Sequence, residues 1–543
     1  MTDRESFDYV VVGAGSAGCV LAHRLTEDPS VSVLLLEAGP VDDADEIHIP
    51  AAWGTLLRTR WDWRYETTPQ KHLGGRRAYW PRMKGLGGCS SMNAMIYIRG
   101  NAVDYDGWRR DFGAAGWGFD DVLPYFVKSE TNTGLQSVYH GTAGPLHVEN
   151  PRYTHELTDA WIEAAAAAGL PRTHDFNGAA QDGVGRYQVT HRRGRRWSTA
   201  DGYLRPALSR PNLTVRTDAL ATRVVFDGTR AIGVGYLRDG AEQTAYAEAE
   251  VLLSGGAINS PQLLMLSGIG PAAHLRDTGV KVIADVPGVG ENLHDHPVTP
   301  LLWRTRGTSD LAQFETPLRL AQWQAFGRGP LASNIGEGGG FTRLRSGATA
   351  PDMQYHVAPT AFYDNGFHEP IAPMFTAGPT LVEVHSRGRL RLRSTDPRWK
   401  PDIDPAYLSD SRDFDILLAG ARQLIEIANQ APLSKHLERL HLPDAADAGD
   451  EDALRAHVER WTQTLFHPVG TCAMGTGETA VVDPELRVRG TENLRVVDAS
   501  IMPRIPRGNT NAPTVMIGEK AADLIRGRGR VATAAGAAKE SSR

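Results

Sequence analysis

Two periodicities predict an α/β chain: a Rossmann-like nucleotide-binding domain, with a second, α+β domain built on an antiparallel sheet. The first is the stretch Asp8 to Glu37, DYVVVGAGSAGCVLAHRLTEDPSVSVLLLE. There an apolar run meets spaced glycines, helical spacing follows, and a second apolar run ends on an acid. The second periodicity is the strict alternation in MQYHVAP, TLVEVHS and GRLRLRS beyond Pro297, which marks antiparallel strands with one buried face.

The N-terminal stretch reads as strand, tight turn, helix, strand. Gly13 permits the turn, Gly15 lets backbone approach a pyrophosphate, and Gly18 lets the helix pack on the strand. The helix N-terminus adds free N–H groups and partial positive charge. Glu37 stands where the fingerprint wants an acid for a ribose hydroxyl, and its charge disfavours a 2′-phosphate. FAD and NAD both satisfy this stretch.

Taken in order, the chain next offers tryptophans at 53, 61, 63 and 80, which read as core filler. The segment KGLGGCSSMNAMIYIRG, Lys84 to Gly100, reads either as a second backbone approach to a ligand leading into a helix or as a plain glycine turn. A helix is expected from about His155 to Ala168. Arg192, Arg193, Arg195 and Arg196 read as a solvated loop face. Strands follow in LTVR, TRVVFDG and AIGVGYL, then a short apolar strand at Val251 to Leu253 runs into GGAINSPQLLMLSGIG. His294 and His296 flank Asp295 in a run that imitates metal ligands. With no further acid or cysteine at a fitting spacing, a hydrogen-bonded loop is the better reading, and no metal is expected. Helices from about Arg412 to Gln430 and Glu451 to Phe466 precede the last cluster, and the tail past Arg526 has the composition of disorder.

Composition narrows the function classes. A chain of 543 residues exceeds one ordinary core, so two domains are expected. A net charge of -6 argues against a general nucleic-acid binder. Cys19, Cys89 and Cys472 are scattered and odd in number, so no disulfide framework is suggested and a reducing cytoplasm fits. The N-terminus lacks the pattern of a secretory signal, and no apolar tract is long enough for an integral membrane segment.

Two late segments carry candidate chemistry. LFHPVGTCAMG places His467 in a loop after an apolar helix, and VVDASIMPRIPRGNTNAPTVMIGEKAADLI places Asn509 and Asn511 before a helical run. Together they offer a base and a hydrogen-bond donor. With these segments the chain resembles the glucose/methanol/choline (GMC) oxidoreductases, FAD-dependent enzymes that oxidise alcohols, from Phe7 to Arg526. Gly256 to Gly270 matches the family's second signature, and Lys84 to Asn93 resembles the first, with Cys89 and Met83 as departures. PGVGENLxDH and HPVGTCxMG runs are also present.

The resemblance implies that Gly13, Gly15, Ser16, Gly18 and Glu37 bind the ADP part of FAD. It sets Gly88, Ser91 and Asn93 beside the phosphates and flavin, Ala221 near adenine, and Asp498 and Ala499 near the pyrophosphate and ribityl chain. His467 becomes the catalytic base and Asn511 its partner. Some relatives attach FAD through a histidine of the first signature; that place is Met92 here, so noncovalent FAD is expected. Glu337 resembles the position where choline-oxidising relatives set a carboxylate near the substrate's ammonium. The implied reaction oxidises a primary alcohol to an aldehyde, with choline, an amino sugar or an aminoglycoside as cationic substrates and neutral aliphatic or aromatic alcohols as the alternative. Oxygen or a quinone would take the electrons, a dehydrogenase being slightly favoured. An NAD-dependent dehydrogenase, a hydroxynitrile lyase and a noncatalytic flavoprotein are the rival readings. The expected division is residues 1–150, 200–297 and 462–530 for FAD, 151–199 and 298–461 for substrate, and a disordered tail at 531–543.

Overall fold

The two apolar runs of the N-terminal stretch lie side by side in the computed structural model, which describes residues 5–314, 316–367, 372–444, 446 and 449–527. Strand Ser6–Val12 pairs in parallel with Val33–Leu36, every residue of which is buried. A parallel strand covered on both faces reads as a continuous apolar run, which is why this pair was legible. Outward on one side lies Leu213–Arg216, and on the other the long strand Ala241–Leu253. The last three residues of that long strand also pair in parallel with Leu494–Val496, and two antiparallel strands, Arg230–Arg238 and Leu220–Asp227, complete a seven-stranded sheet. Helix Ser16–Leu25 packs between the sheet and helix Asn511–Ile525. A Cβ on Gly18 would lie 1.9 Å from the Gly13 carbonyl oxygen, so only glycine allows the helix to leave the turn this closely.

The second sheet is antiparallel and has eight strands. Its main order is Leu437–Leu442, Leu301–Thr305, Met374–Leu381, Met353–Ala358, Gly338–Thr342 and Gly183–Arg186. Alternation decides which way each residue points. Tyr355 turns to the helical side, where its hydroxyl donates to Gln423 on helix Ser411–Ala428 at 2.5 Å and its ring meets Trp161 of helix Glu156–Ala167 edge-on. Gln354 and His356 therefore point to the opposite face. Among the described residues, no strand from 298–461 enters the nucleotide sheet. We take the two sheets as the cores of two domains.

Several elements differ from the sequence reading. The alternation of TLVEVHS is strand only as far as Leu381; beyond it His385 and Ser386 donate their backbone N–H groups to Asp413 at the start of a helix. GRLRLRS forms a separate ribbon, Arg389–Arg391 against Asp402–Asp404. The helix expected to reach Phe466 ends at Trp461, because the next residue turns extended and opens the short strand Gln463–Thr464. That strand and Pro297–Val298 pair with each other in the antiparallel sheet, although both were assigned in whole or part to the nucleotide domain. The glycine-rich segment after Lys84 forms a single 3-10 turn, Gly88–Ser91, rather than the start of a helix. The tail at 531–543 lies outside the described residues. Among the described residues no helix is long and apolar enough to cross a membrane.

Candidate active site

One cavity runs between the two sheets, and most of the residues singled out in the sequence line it: Gly13, Gly15, Ser16, Glu37, Gly88, Asn93, Ala221, Asp498 and Ala499. Three helices, beginning at Ser16, Gly256 and Asn511, start at its nucleotide end. Each brings unpaired N–H groups and partial positive charge. Gly88 has φ +49°, and a Cβ there would lie 2.6 Å from Gly15 Cα, so the two glycine turns face each other with room for backbone alone. Glu37 accepts from the backbone N–H of Ala14 and of Gly39, both at 2.9 Å. Burial pushes its pKa up, against the pull of those amides. Asp498 accepts from Gly256 N at 2.8 Å, Ser260 Oγ at 2.6 Å and Ser500 N at 2.8 Å, which ties two chain segments at one carboxylate. A long concave wall made of backbone amides and helix N-termini fits a dinucleotide with two phosphates.

Some expected positions fall elsewhere. Ser91 is fully buried, donates its hydroxyl to the Leu86 carbonyl at 2.9 Å and does not line the cavity, since its side chain stabilises the turn from behind. Gly18 likewise acts through packing. Of the arginine cluster, residues 192, 193 and 195 are exposed, but Arg196 is buried and donates to the carbonyls of Ile47, Ser90 and Asn93 and to Asn93 Oδ1. It clamps the Gly88 turn, and burial without a carboxylate partner lowers its pKa to about 9. Trp53 fills a buried apolar cluster and also lines the cavity, Trp63 lines it from a half-buried position, and Trp80 is buried. Met92 also lines it.

The other end is built from side chains. His467 follows Phe466, whose φ of +69° is in the left-handed region and is held from both sides: Arg82 donates to its carbonyl, and its N–H donates to Thr464 Oγ1 at 2.7 Å. Asp295 accepts from His467 N at 2.7 Å, from Thr464 Oγ1 at 2.6 Å and from the Tyr407 hydroxyl. His294 receives the Ile505 N–H at Nε2, 2.9 Å, so this trio forms the hydrogen-bonded loop expected of it. His296 Nδ1 lies 3.0 Å from His467 Nδ1, and Asn509 Nδ2 lies 3.3 Å from His467 Nε2.

These contacts assign the tautomers. Asn509 Oδ1 accepts from Gln354 Nε2 at 3.3 Å, so its amide N–H₂ faces His467 Nε2, which must then carry a lone pair. The proton of neutral His467 sits on Nδ1 and is donated to His296. Burial, then the neighbouring His296, His356 and Arg82, holds the His467 pKa well below its ordinary value. The ring is neutral at neutral pH, with an acceptor nitrogen turned to the cavity.

Asn511 is not in this group. As the first residue of its helix it accepts from Ser16 Oγ at 2.7 Å, which joins two helix N-termini at the nucleotide end. The sequence reading singled out both asparagines and took Asn511 as the partner of His467, but the side chain that meets the ring is that of Asn509, in the stretch before the helix. Glu337 is also displaced from its expected place. It is fully buried and absent from the cavity wall, and its carboxylate accepts from His155 N at 2.8 Å, Thr158 Oγ1 at 2.7 Å and Ser333 Oγ at 2.6 Å. Burial pushes its pKa up to about 7. His356 was missed: its Nδ1 meets Thr380 Oγ1 at 3.0 Å and its Nε2 has no partner among the described residues. A histidine on the polar face of an alternating strand was the available signal.

Comparison with known proteins shows the family. The GMC oxidoreductase family models match residues 7–298 and 384–518. The mitochondrial choline dehydrogenase of Mus musculus is 44% identical over 96% of this chain and 90% of its own, and the alcohol dehydrogenase [acceptor] of Pseudomonas putida is 42% identical over 96% and 95%. The crystal structure of pyridoxine 4-oxidase from Mesorbium loti superimposes with a TM-score of 0.88 at 32% identity, covering 96% of this chain and 99% of that one. The fingerprint, the converging helix N-termini and the histidine-centred far end thus belong to an FAD-dependent alcohol oxidoreductase, and the chain is a member of the GMC oxidoreductase family.

Proposed function

We propose that the protein oxidises a neutral primary alcohol with an apolar body to the aldehyde, at noncovalently held FAD. The observation that carries this reading is the charge of the cavity wall. Its only acids among the described residues are Glu37 and Asp498, both engaged by backbone amides at the nucleotide end. Val298, Ile335, Phe362, Leu465 and Phe466 give the wall apolar and aromatic surface, and its polar groups His356, Gln463 and Asn509 carry no negative charge. A cationic substrate there would lose its hydration without meeting a carboxylate.

When bound, FAD supplies the acceptor for a hydride from the alcohol's α-carbon. His467 Nε2 takes the hydroxyl proton, and its depressed pKa keeps it in the accepting form at neutral pH. Asn509 Nδ2 donates toward the oxygen as negative charge develops on it, without adding a net charge. Asp295, through the His467 backbone, and His296, through Nδ1, hold the base in place. The electrons pass to a carrier other than oxygen, a reading supported by the acceptor-dependent name of the P. putida relative.

The test is anaerobic mixing of holoenzyme with 1-hexanol, benzyl alcohol, choline and a deoxyamino sugar, followed by separate additions of oxygen and a quinone. The first two alcohols should bleach the flavin bands, with choline at least about tenfold slower because its charge is left unpaired. Bleaching by the cationic alcohols alone would overturn the substrate reading, and fast reoxidation by oxygen with stoichiometric peroxide would overturn the acceptor.

A further inference from the structure

Gln463 is a buried polar group of the cavity wall that the reaction above does not use. It lies on the strand Gln463–Thr464, is 5% exposed and lines the cavity. Its Oε1 accepts from the backbone N–H of Asn365 at 3.2 Å, which fixes the orientation of the amide. Nε2, fully buried, then has no partner among the described residues. Leaving such a donor unpaired is costly, and a ligand atom that accepts from it recovers the loss.

Strand register shows where this donor stands. Gln463 is opposite Val298, Val298 is opposite Thr380, and Thr380 meets His356 through its hydroxyl. Cross-strand partners share a sheet face, so Gln463 and His356 belong to the same polar-bearing floor, with Val298 between them. With neighbouring strands about 4.8 Å apart and His356 two residues along from Gln354, which stands opposite Thr380, the backbones of Gln463 and His356 are about 16 Å apart, a gap that two long side chains narrow from both ends. Between them the floor presents Val298 and Thr380, whose hydroxyl is taken up by His356, so the Gln463 amide is the donor left over on the far side of Val298.

We propose that Gln463 is a specificity-determining residue whose Nε2 donates to a second oxygen of the substrate, an ether, hydroxyl or carbonyl separated from the reacting hydroxyl by an apolar spacer. This deepens the reading of a neutral alcohol and rests on it. The substrate class becomes neutral alcohols bearing a second acceptor oxygen, and plain alkanols are the poorer members.

Four alcohols of equal heavy-atom count test it: 1-hexanol, 2-propoxyethanol, 3-ethoxypropan-1-ol and 4-methoxybutan-1-ol. At least one ether should exceed hexanol in kcat/KM by about tenfold, the usual scale for satisfying a buried donor. Gln463→Glu keeps an acceptor for the Asn365 N–H but removes the donor, and Gln463→Met removes both. Each should erase the ether's advantage while changing hexanol by no more than about threefold, since hexanol never met the donor. Flavin absorbance per protein reports whether each variant is folded, and Gln463→Glu decides alone if Gln463→Met is not. No ether exceeding hexanol in the wild type, or an advantage that persists in Gln463→Glu, would overturn the proposal. Failure of the underlying reading looks different, because hexanol itself would then leave the flavin oxidised.

Discussion

The two ends of the cavity are made in different ways. At the nucleotide end the contacts are backbone amides, glycine turns and helix starts, drawn largely from contiguous motifs such as Gly13 to Gly18 and Gly256 to Ser260. At the far end they are side chains from separate segments: His296, His356 and His467 are gathered by strands of the antiparallel sheet, and Asn509 reaches His467 from the stretch before helix Asn511–Ile525. The chain passes between the sheets at Pro297–Val298 and Gln463–Thr464, and His296 and His467 flank those crossings. Backbone can hold a cofactor whose shape is fixed. Proton transfer needs a titratable group, so the chemistry gathers where side chains converge.

This contrast predicts that changes at the far end slow the reaction with FAD retained, whereas changes at the nucleotide end lose FAD. The largest effect is expected for His467→Ala, which should keep FAD and slow anaerobic flavin reduction about 10²- to 10⁴-fold, the range for a general base. Stopped-flow absorbance measures it, and reduction at the native rate would remove the assigned role. In the wild type the rate of reduction should show no inflection at the ordinary histidine pKa, because burial lowers that of His467; the base form is lost only as pH falls through the depressed value.

A smaller effect is expected at the nucleotide end. Ser16→Ala removes the donor to Asn511 and should weaken FAD retention on dilution by about five- to tenfold, on the scale of one lost hydrogen bond. Reduction per bound FAD should be unchanged. Equal FAD retention in the variant would blur the division between the two ends.

The smallest effect concerns Glu337, which belongs to neither end. Its pKa is raised to about 7 in the folded protein, so the native state holds a proton that the unfolded chain releases near 4.5. The stability this contributes is complete below pH 4.5 and is lost as pH rises through about 7. Glu337→Gln should remove that part of the slope of melting temperature against pH. It should also shift charged and neutral alcohols alike, by less than about threefold, since it touches no substrate. Selective loss of cationic substrates would restore the carboxylate to the site.

The same contrast explains what could be read from the sequence. The parallel core was legible because its strands are buried on both faces and its turn needs glycine at fixed spacing. Of the residues that the fingerprint and the family resemblance named for the cofactor, all but Gly18 and Ser91 line the cavity. Ser91 was misplaced because residues two apart in a single 3-10 turn point in different directions, Cys89 toward the cavity and Ser91 away from it. Arg196 was hidden among exposed arginines, since a local charge count carries no burial. His356 and Gln463 depend on antiparallel register, and the two strands of Gln463 and Val298 are each two residues long, too short for a period. Glu337 sits one residue from the cavity-lining Gly336, but its side chain is turned away toward three donors.

The GNTN run shows the boundary at closest range, because two asparagines two residues apart serve opposite ends. Asn509→Ala and Asn511→Ala, compared by anaerobic stopped flow with flavin reduction expressed per bound FAD, test the division most directly. Asn509→Ala should retain FAD and reduce it about 10²- to 10³-fold more slowly, the cost of one donor aimed at developing charge. Asn511→Ala should lose FAD more readily and reduce what remains at the native rate. Slow reduction in Asn511→Ala with native reduction in Asn509→Ala would contradict the account.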